Sequence, residues 1–372
     1  INFLFNQNTS LHTPFEPLHC RCDTSVKSSR WRHWWGLRRY RRMLGLFEIN
    51  QEHDFYSLPC LMKEGLHAAQ QTSSDTPASD LEMQTFAGPV FASLRRSLDI
   101  TEEEYQRSLS SHGCYLQFIS NSKSKADFFL TNDKRFFLKT QNTREVTFFL
   151  SNLKAYMDHL EKYPHSLMVR FLGEREKYFI VMQNVFYPDE RINTRYDIKG
   201  CEVGRWTDPA STENPVTKIL KDNNFEGKHI ILDKQRSWLV DQVEIDSAFL
   251  RSLNVLDYSI LLAHQPLHQD ELDRKHSFSN LSMRTVKIQG NTLAMESPSR
   301  RLLPNLKNSV HVIDGPKLRY FVGIVDFFTV YGVKKRQENL WKSLRFPGRA
   351  FSTVSPATYS QRFCQWVKDH TK

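Results

Sequence analysis

Short apolar runs and polar turns alternate along most of the chain, and their periods separate strands from helices. Residues 115–120 and 127–139 are rich in phenylalanine and alternate or run apolar, which predicts two strand regions. Between them, Asn121-Ser-Lys-Ser-Lys-Ala126 reads as a small polar turn. Val146, Phe149, Leu150, Leu153, Met157 and Leu160 recur at helical spacing and predict one amphipathic helix. Residues 167–172 and 177–183 predict a β-hairpin around Gly173. Upstream, Leu58, Leu61, Met62, Leu66 and Ala69 have helical spacing, and residues 72–79 form a Ser/Thr/Pro loop. Residues 88–98 read as another helix, and Thr101 followed by Glu104 makes a capping box for the next. Residues 268–316 are polar without a period, which predicts a surface insertion or a disordered segment. The order strand–turn–strand, helix, hairpin and second mixed half predicts an α+β protein of two lobes with a ligand cleft between them.

With 372 residues, 40% of them hydrophobic and 12% aromatic, the chain can bury a sizeable core, and a disordered protein is excluded. The net charge of +10 points to an anionic partner; nucleic acid and an anionic membrane surface both fit it, as does solubility alone. Residues 1–29 read as a poorly ordered arm. Residues 30–42 interleave six arginines with Trp31, Trp34, Trp35 and Tyr40. That pattern suits a lipid headgroup interface, single-stranded nucleic acid, or a helix packed on the domain. Nothing else in the chain supports nucleic acid. The six cysteines are scattered, and Cys20-Arg-Cys22 lacks the second pair a zinc site needs, so a reducing compartment is expected. No apolar run is long enough to cross a bilayer. No signal peptide is visible, and Ile1 in place of Met leaves the natural start open.

Four short segments change the picture from a fold to a chemistry: Phe137-Leu-Lys-Thr140, Tyr196-Asp-Ile-Lys-Gly200, Leu256-Asp-Tyr-Ser259 and Gly323-Ile-Val-Asp326. Two lysines can neutralise nucleotide phosphates, and two aspartates beside apolar runs can position a hydroxyl and hold Mg²⁺. Phosphoryl transfer needs little more than placed positive charge, metal and an aligned nucleophile. Lys139 on a strand precedes a helix starting near Glu145, which either pairs with that lysine or favours the helix N-terminus. Val181-Met-Gln-Asn-Val-Phe186 suits a hinge that offers backbone hydrogen bonds and a flat face to adenine, or ordinary strand packing.

In these segments the chain resembles the phosphatidylinositol phosphate kinases. The likeness is also carried by His53-Asp-Phe-Tyr56, Met62-Lys-Glu-Gly-Leu-His-Ala-Ala69, Lys221-Asp-Asn-Asn-Phe225 and Phe351-Ser-Thr-Val-Ser-Pro356, and it runs from about His53 onward. It implies a two-lobed kinase fold distantly like that of protein kinases. Residues 1–52 would be a basic, flexible arm and 53–372 the kinase domain. Within the domain the N-lobe would run to about 185, the C-lobe from about 186, and a variable insertion over about 268–316. It implies ATP and Mg²⁺ as cofactors, with Lys139 on the nucleotide phosphates, Asn184, Val185 and Phe186 lining the adenine pocket, and Ser122 and Lys123 in the loop over the phosphates. Lys199 would lie near the transferred phosphate, Asp257 would be the catalytic aspartate and Asp326 the metal ligand. Lys335-Arg-Gln-Glu338 matches the activation segment, where Glu338, with Lys335, would select phosphatidylinositol 4-phosphate.

The implied partners are phosphatidylinositol 4-phosphate, an anionic membrane surface and other phosphatidylinositol phosphate kinases, in a cytoplasmic protein peripheral at membranes. Three departures stand against that pattern. The family's glycine-rich loop reads Ser122-Lys-Ser-Lys-Ala126, without the glycines that let backbone amides approach phosphate. Its Ser-Thr after Lys199-Gly200 is Cys201-Glu202, which would bring a carboxylate toward an anionic site. Its histidine position falls on Gln265, with His264 one residue early and so on the opposite face of a strand. Two functional expectations follow: a lipid kinase acting weakly on the 5-hydroxyl of phosphatidylinositol 4-phosphate, and an impaired homologue that scaffolds or localises active kinases at membranes.

Overall fold

The computed structural model describes residues 45–51, 53, 55–56, 88–110, 115–119, 126–175, 179–187, 191–210, 218–269 and 312–372. The arginine-rich stretch 30–42, the helix expected near 58–70, the turn holding Ser122, Lys123 and Lys125, and residues 270–311 lie outside them.

Six antiparallel strands form the first sheet, in the order β1 (Gly45–Glu48), β2 (Leu116–Ile119), β3 (Phe128–Leu130), β4 (Phe136–Thr140), β6 (Phe179–Gln183) and β5 (Phe171–Arg175). Strand β1 falls where the sequence suggests only an arm; it forms the sheet edge, with Gly45 opposite Ile119. The two-residue period of β4 sends Phe136 and Leu138 into the core, both fully buried, and leaves Phe137 and Lys139 on the other face. Helices α1 (Gly88–Ser97) and α2 (Glu102–Ser110) precede β2, and the expected box closes between Thr101 and Glu104 at the start of α2.

The single helix expected over 146–160 is two, α3 (Thr143–Ser151) and α4 (Leu153–Lys162). Asn152 interrupts them: its side-chain Nδ2 donates to the Phe148 carbonyl at 2.8 Å. The apolar period continues across the break because Phe149, Leu153, Tyr156 and Leu160 join one core. The expected turn at Gly173 is corrected too. Gly173 sits inside β5 at a register shift, where a Cβ would lie 2.6 Å from the Tyr105 hydroxyl. The glycine there answers close packing and a bulge rather than a turn.

The second sheet runs β11 (Val312–Asp314), β12 (Leu318–Val325), β10 (Ser259–Pro266), β7 (Thr194–Ile198) and β8 (Leu220–Lys221), antiparallel except for β7 with β8. Strand β11 lies in the stretch expected to be irregular; three residues are too few to carry a strand period. Strands β9 (Val255–Leu256) and β13 (Thr329–Val330) form a separate ribbon. Helices α5 (Arg236–Ser252) and α7 (Pro356–Asp369) pack on each other, while α6 (Val333–Arg345) buries none of its residues. The two sheets share one apolar core. The Leu167–Val169 backbone bonds Ile324 of β12, and Phe327 and Phe328 pack against Phe171 of β5.

Candidate active site

Register brings the two aspartates together. Ser259 pairs with Val325 in adjacent antiparallel strands, so Asp257, just before β10, and Asp326, just after β12, emerge at the same end. The ribbon pairing Leu256 with Thr329 closes that end. Both aspartates hold left-handed backbone, with φ of 66° and 63°, a conformation that concentrates at functional sites.

Lys139 reaches from β4 of the first sheet to Asp326, with Nζ 2.5 Å from Oδ1. Lys199 follows β7 and donates to the Asp257 carboxylate at 2.8 Å and to the Asp257 carbonyl at 2.5 Å. The turn that carries Lys199 is pinned at its backbone, since both Lys199 N and Cys201 N donate to Asp222 Oδ1. Gly200 between them has φ of 65°, and a Cβ would meet the α7 backbone at Phe363 Cα at 3.3 Å. Arg205 ties the other side, bonding Asp222 at 2.6 Å and lying 3.1 Å from Asp197.

Lys139, Asp326, Lys199, Asp257, Arg205 and Asp197 line one polar cavity together with Glu145, Lys221, Phe328 and Thr329. Surrounding protein disfavours charge on both aspartates, yet the adjacent lysines outweigh it and hold both carboxyls below the usual range. Asp326 still keeps 45% of its side-chain surface open to the cleft. Burial alone would lower the Lys199 ammonium, but Asp257 and Asp197 keep its pKa above the ordinary value. Among the described residues no group of three or more His, Cys, Asp or Glu could hold a metal by itself.

An apolar cavity of about 110 Å³ adjoins the polar one. It is lined by Phe118, Phe128 and Phe137 from the first sheet, by Met182 through Phe186, and by Leu261 and Val325 from the second; Asp197, Lys221 and Asp326 border both cavities. Asn184, Val185 and Phe186 are thus brought to the cavity as a group. The Asn184 amide is committed locally, donating to the Lys134 carbonyl at 2.8 Å and accepting from Phe186 N at 3.0 Å. Its part in the wall is to fix the shape of the strand exit.

One sequence alternative is decided, one expectation is corrected and one holds. Glu145 does not pair with Lys139: its carboxylate accepts from Asn142 N at 3.4 Å, closing a capping box at the start of α3, and Lys139 takes Asp326 instead. Glu202 does not enter the anionic site; its side chain is 58% exposed and faces Arg349 at 3.8 Å, while its backbone N bonds the Ala350 carbonyl. His264 and Gln265 occupy opposite faces as expected, the glutamine buried and the histidine half-buried near Tyr320. Both lie toward the far end of β10, roughly 20 Å along the strand from Asp257, too far to act there.

Lys335 and Glu338 meet on α6, 3.0 Å apart, and Glu338 also bonds Lys342 and Thr353. Lys335 adds to the positive field that holds the Asp257 carboxyl below its usual range. Asp197, Arg205, Lys221 and Asp222 were not singled out from sequence. Three of them stand inside the quoted motifs, beside Lys199 and in Lys221-Asp-Asn-Asn-Phe225, where an unexplained charge was the available signal. Arg205 is a lone loop arginine that carries no sequence signal.

The family model described as Phosphatidylinositol-4-phosphate 5-Kinase matches residues 109–370, and the chain belongs to that family. It is 51% identical to human phosphatidylinositol 4-phosphate 5-kinase-like protein 1, over 94% of this chain and 95% of that one. The mouse protein of the same name is 45% identical, over 91% and 92%. Phosphatidylinositol 4-phosphate 5-kinase 4 of Arabidopsis thaliana is 25% identical, over 78% of this chain and 42% of its own length.

Proposed function

We propose that this protein is a two-lobed phosphoinositide kinase, distantly like protein kinases in fold, that transfers the γ-phosphoryl group of ATP to the 5-hydroxyl of phosphatidylinositol 4-phosphate, with low turnover. One observation carries the reading: Lys139, Lys199, Asp257 and Asp326, from four separate segments, converge on a polar cavity that adjoins an apolar one. The two sheets would be the lobes, with the nucleotide base against Val185 and Phe186 and the phosphates toward Lys139.

The donor set fits ATP and Mg²⁺. Hard carboxylate oxygens from Asp326 suit magnesium, which is commonly held by one or two carboxylates plus phosphate oxygens and waters. When bound, the ion would neutralise the β- and γ-phosphate oxygens. Lys139 would turn from Asp326 onto phosphate, freeing that carboxylate for the metal. Lys199 would place its charge beside the transferred group. Asp257, ionised at neutral pH, would accept the hydrogen bond of the 5-hydroxyl and aim its oxygen for in-line attack. Glu338 and Lys335 would select the headgroup isomer, and Ser122 and Lys123 would cover the phosphates.

Helix α6 supports an anionic membrane surface as partner. Val333, Leu340, Trp341 and Leu344 are 59–78% exposed, interleaved with Lys334, Lys335, Arg336, Lys342 and Arg345. Among the described residues no helix is long and apolar enough to cross a membrane. A second reading, an impaired homologue that localises active phosphatidylinositol phosphate kinases at membranes, is favoured by the pairing of Lys139, Lys199 and Arg205 with the site's own carboxylates.

The deciding experiment is a lipid-kinase assay of the purified chain on vesicles containing phosphatidylinositol 4-phosphate, beside Lys139→Met. The enzyme reading expects a slow, ATP-dependent product that disappears in the variant. No product above the variant's background overturns it in favour of the scaffold.

A further inference from the structure

Helix α6 raises a physical question: thirteen residues of helix, none buried, must be held by something other than an apolar face. Its polar contacts converge on one residue. Thr353, 1% exposed, donates its hydroxyl to Glu338 Oε1 at 2.8 Å and accepts from Lys342 Nζ at 2.9 Å. Its carbonyl accepts from Asn339 Nδ2 at 2.8 Å. One buried threonine therefore bonds three residues on one side of α6, at positions 338, 339 and 342. Glu338 is drawn into the same knot by Lys335 at 3.0 Å and Lys342 at 2.6 Å.

The segment that carries Thr353 is bent back on itself, with Val354 N donating to the Ser352 carbonyl at 3.0 Å. Upstream, Phe351 is buried and its carbonyl accepts from Arg362 of α7 at 2.9 Å, so the segment is anchored to the body of the fold.

We propose that Thr353 is a clasp that ties α6 to the body of the fold and is the positioning residue for Glu338. This assignment rests on the proposed function for the meaning of Glu338, but the clasp itself is testable without turnover. Because α6 is held by polar ties alone, loss of a single hydroxyl should free it, while a core-packed helix would barely respond. Thr353→Val keeps shape and removes the hydroxyl; Thr353→Ser keeps the hydroxyl and removes a methyl group.

The test is hydrogen exchange of the full chain, read over residues 333–345, for wild type, Thr353→Val, Thr353→Ser and Glu338→Gln. Each lost hydrogen bond to a charged group speeds local opening by about tenfold. Thr353→Val removes two such bonds, to Glu338 and Lys342, and should accelerate exchange in α6 by up to about a hundredfold, whereas Thr353→Ser should restore it to within about threefold of wild type. Glu338→Gln should accelerate the same segment, and combining it with Thr353→Val should add less than the product of the two. Exchange in α5 and α7 should stay unchanged in all variants. Unchanged α6 exchange in Thr353→Val overturns the clasp. So does acceleration that spreads equally to α5 and α7, and so does a serine variant as fast as valine. If the chain shows no lipid-kinase activity but the exchange pattern holds, the function fails and the clasp stands. Where activity is present, Thr353→Val should shift the ratio of 4-phosphate to 5-phosphate lipid used in the same direction as Glu338→Ala; an unaltered ratio overturns the link to Glu338.

Discussion

The two halves of the cleft are built by opposite means. The apolar half is made by packing: Val185 and Phe186 are at least nine-tenths buried, and the Asn184 amide ties the strand exit to Lys134. It stands ready whether or not anything occupies it. The polar half is made by mutual neutralisation. Lys139, Lys199 and Arg205 each spend their charge on Asp326, Asp257, Asp197 or Asp222, so an anionic ligand must displace partners already present. Such pairs contribute little net stability, because the cost of desolvating both ions offsets their attraction. One half is therefore a stability element that happens to be concave. The other is a functional element held closed by its own charges.

The largest expected effect lies in the polar half. Asp257→Asn should lower lipid-kinase kcat by about 10²–10⁴-fold with little change in KM for ATP, read from initial rates. A drop confined to KM would move Asp257 from the reacting hydroxyl to ground-state binding. Stability should separate the halves in the other direction. Phe186→Ala should cost about 3 kcal/mol in denaturant unfolding, as truncations of buried aromatics do. Lys139→Met combined with Asp326→Asn should cost less than about 1 kcal/mol, since both charges leave together. Equal losses would erase the contrast.

The glycines missing from Ser122-Lys-Ser-Lys-Ala126 bear on the proposed turnover. Ser122→Gly with Lys125→Gly should raise turnover by about tenfold or more, mainly in kcat, by admitting backbone donors to the developing charge. That gain should vanish when Asp326→Asn is added. Glu202 and His264 lie away from the cavity, which leaves this loop as the first suspect for the proposed low turnover.

The smallest effect is a pH dependence. Burial would raise the Glu338 carboxyl, but hydrogen bonds from Lys342, Lys335 and Thr353 outweigh it and bring it down to about 2. A carboxyl lowered from its unfolded value near 4.3 stabilises fully above that pH and loses its contribution as pH falls toward 2. Protection of α6 should therefore hold from pH 7 to about 5 and decline below about 4. A decline centred near pH 6 would point to a histidine instead.

Much of this was legible in the chain. Lys139 could be found because β4 alternates, and Asp257 and Asp326 because each ends an apolar run that becomes a strand. The α+β class followed from the same periods. What stayed hidden was whatever depends on contact rather than pattern. Gly173 looked like a turn because the Tyr105 hydroxyl that excludes a Cβ is 68 residues away in sequence. Asn152 breaks a helix through a bond to its own preceding turn, which leaves the apolar period intact. Arg205 and Thr353 have no period at all; they matter through the carboxylates that folding brings to them. The pairing of Lys139 with Asp326 rather than Glu145 depends on two sheets meeting, across 187 residues of chain.

The claim that the closed charge pairs open onto a triphosphate is tested most directly by titration calorimetry of ATP with Mg²⁺ into the wild-type chain and Lys139→Met. Loss of one charge-assisted contact to phosphate should weaken binding by about tenfold to a hundredfold, with the base-binding half still intact. Equal affinities in the two proteins would remove Lys139 from the nucleotide and contradict the account.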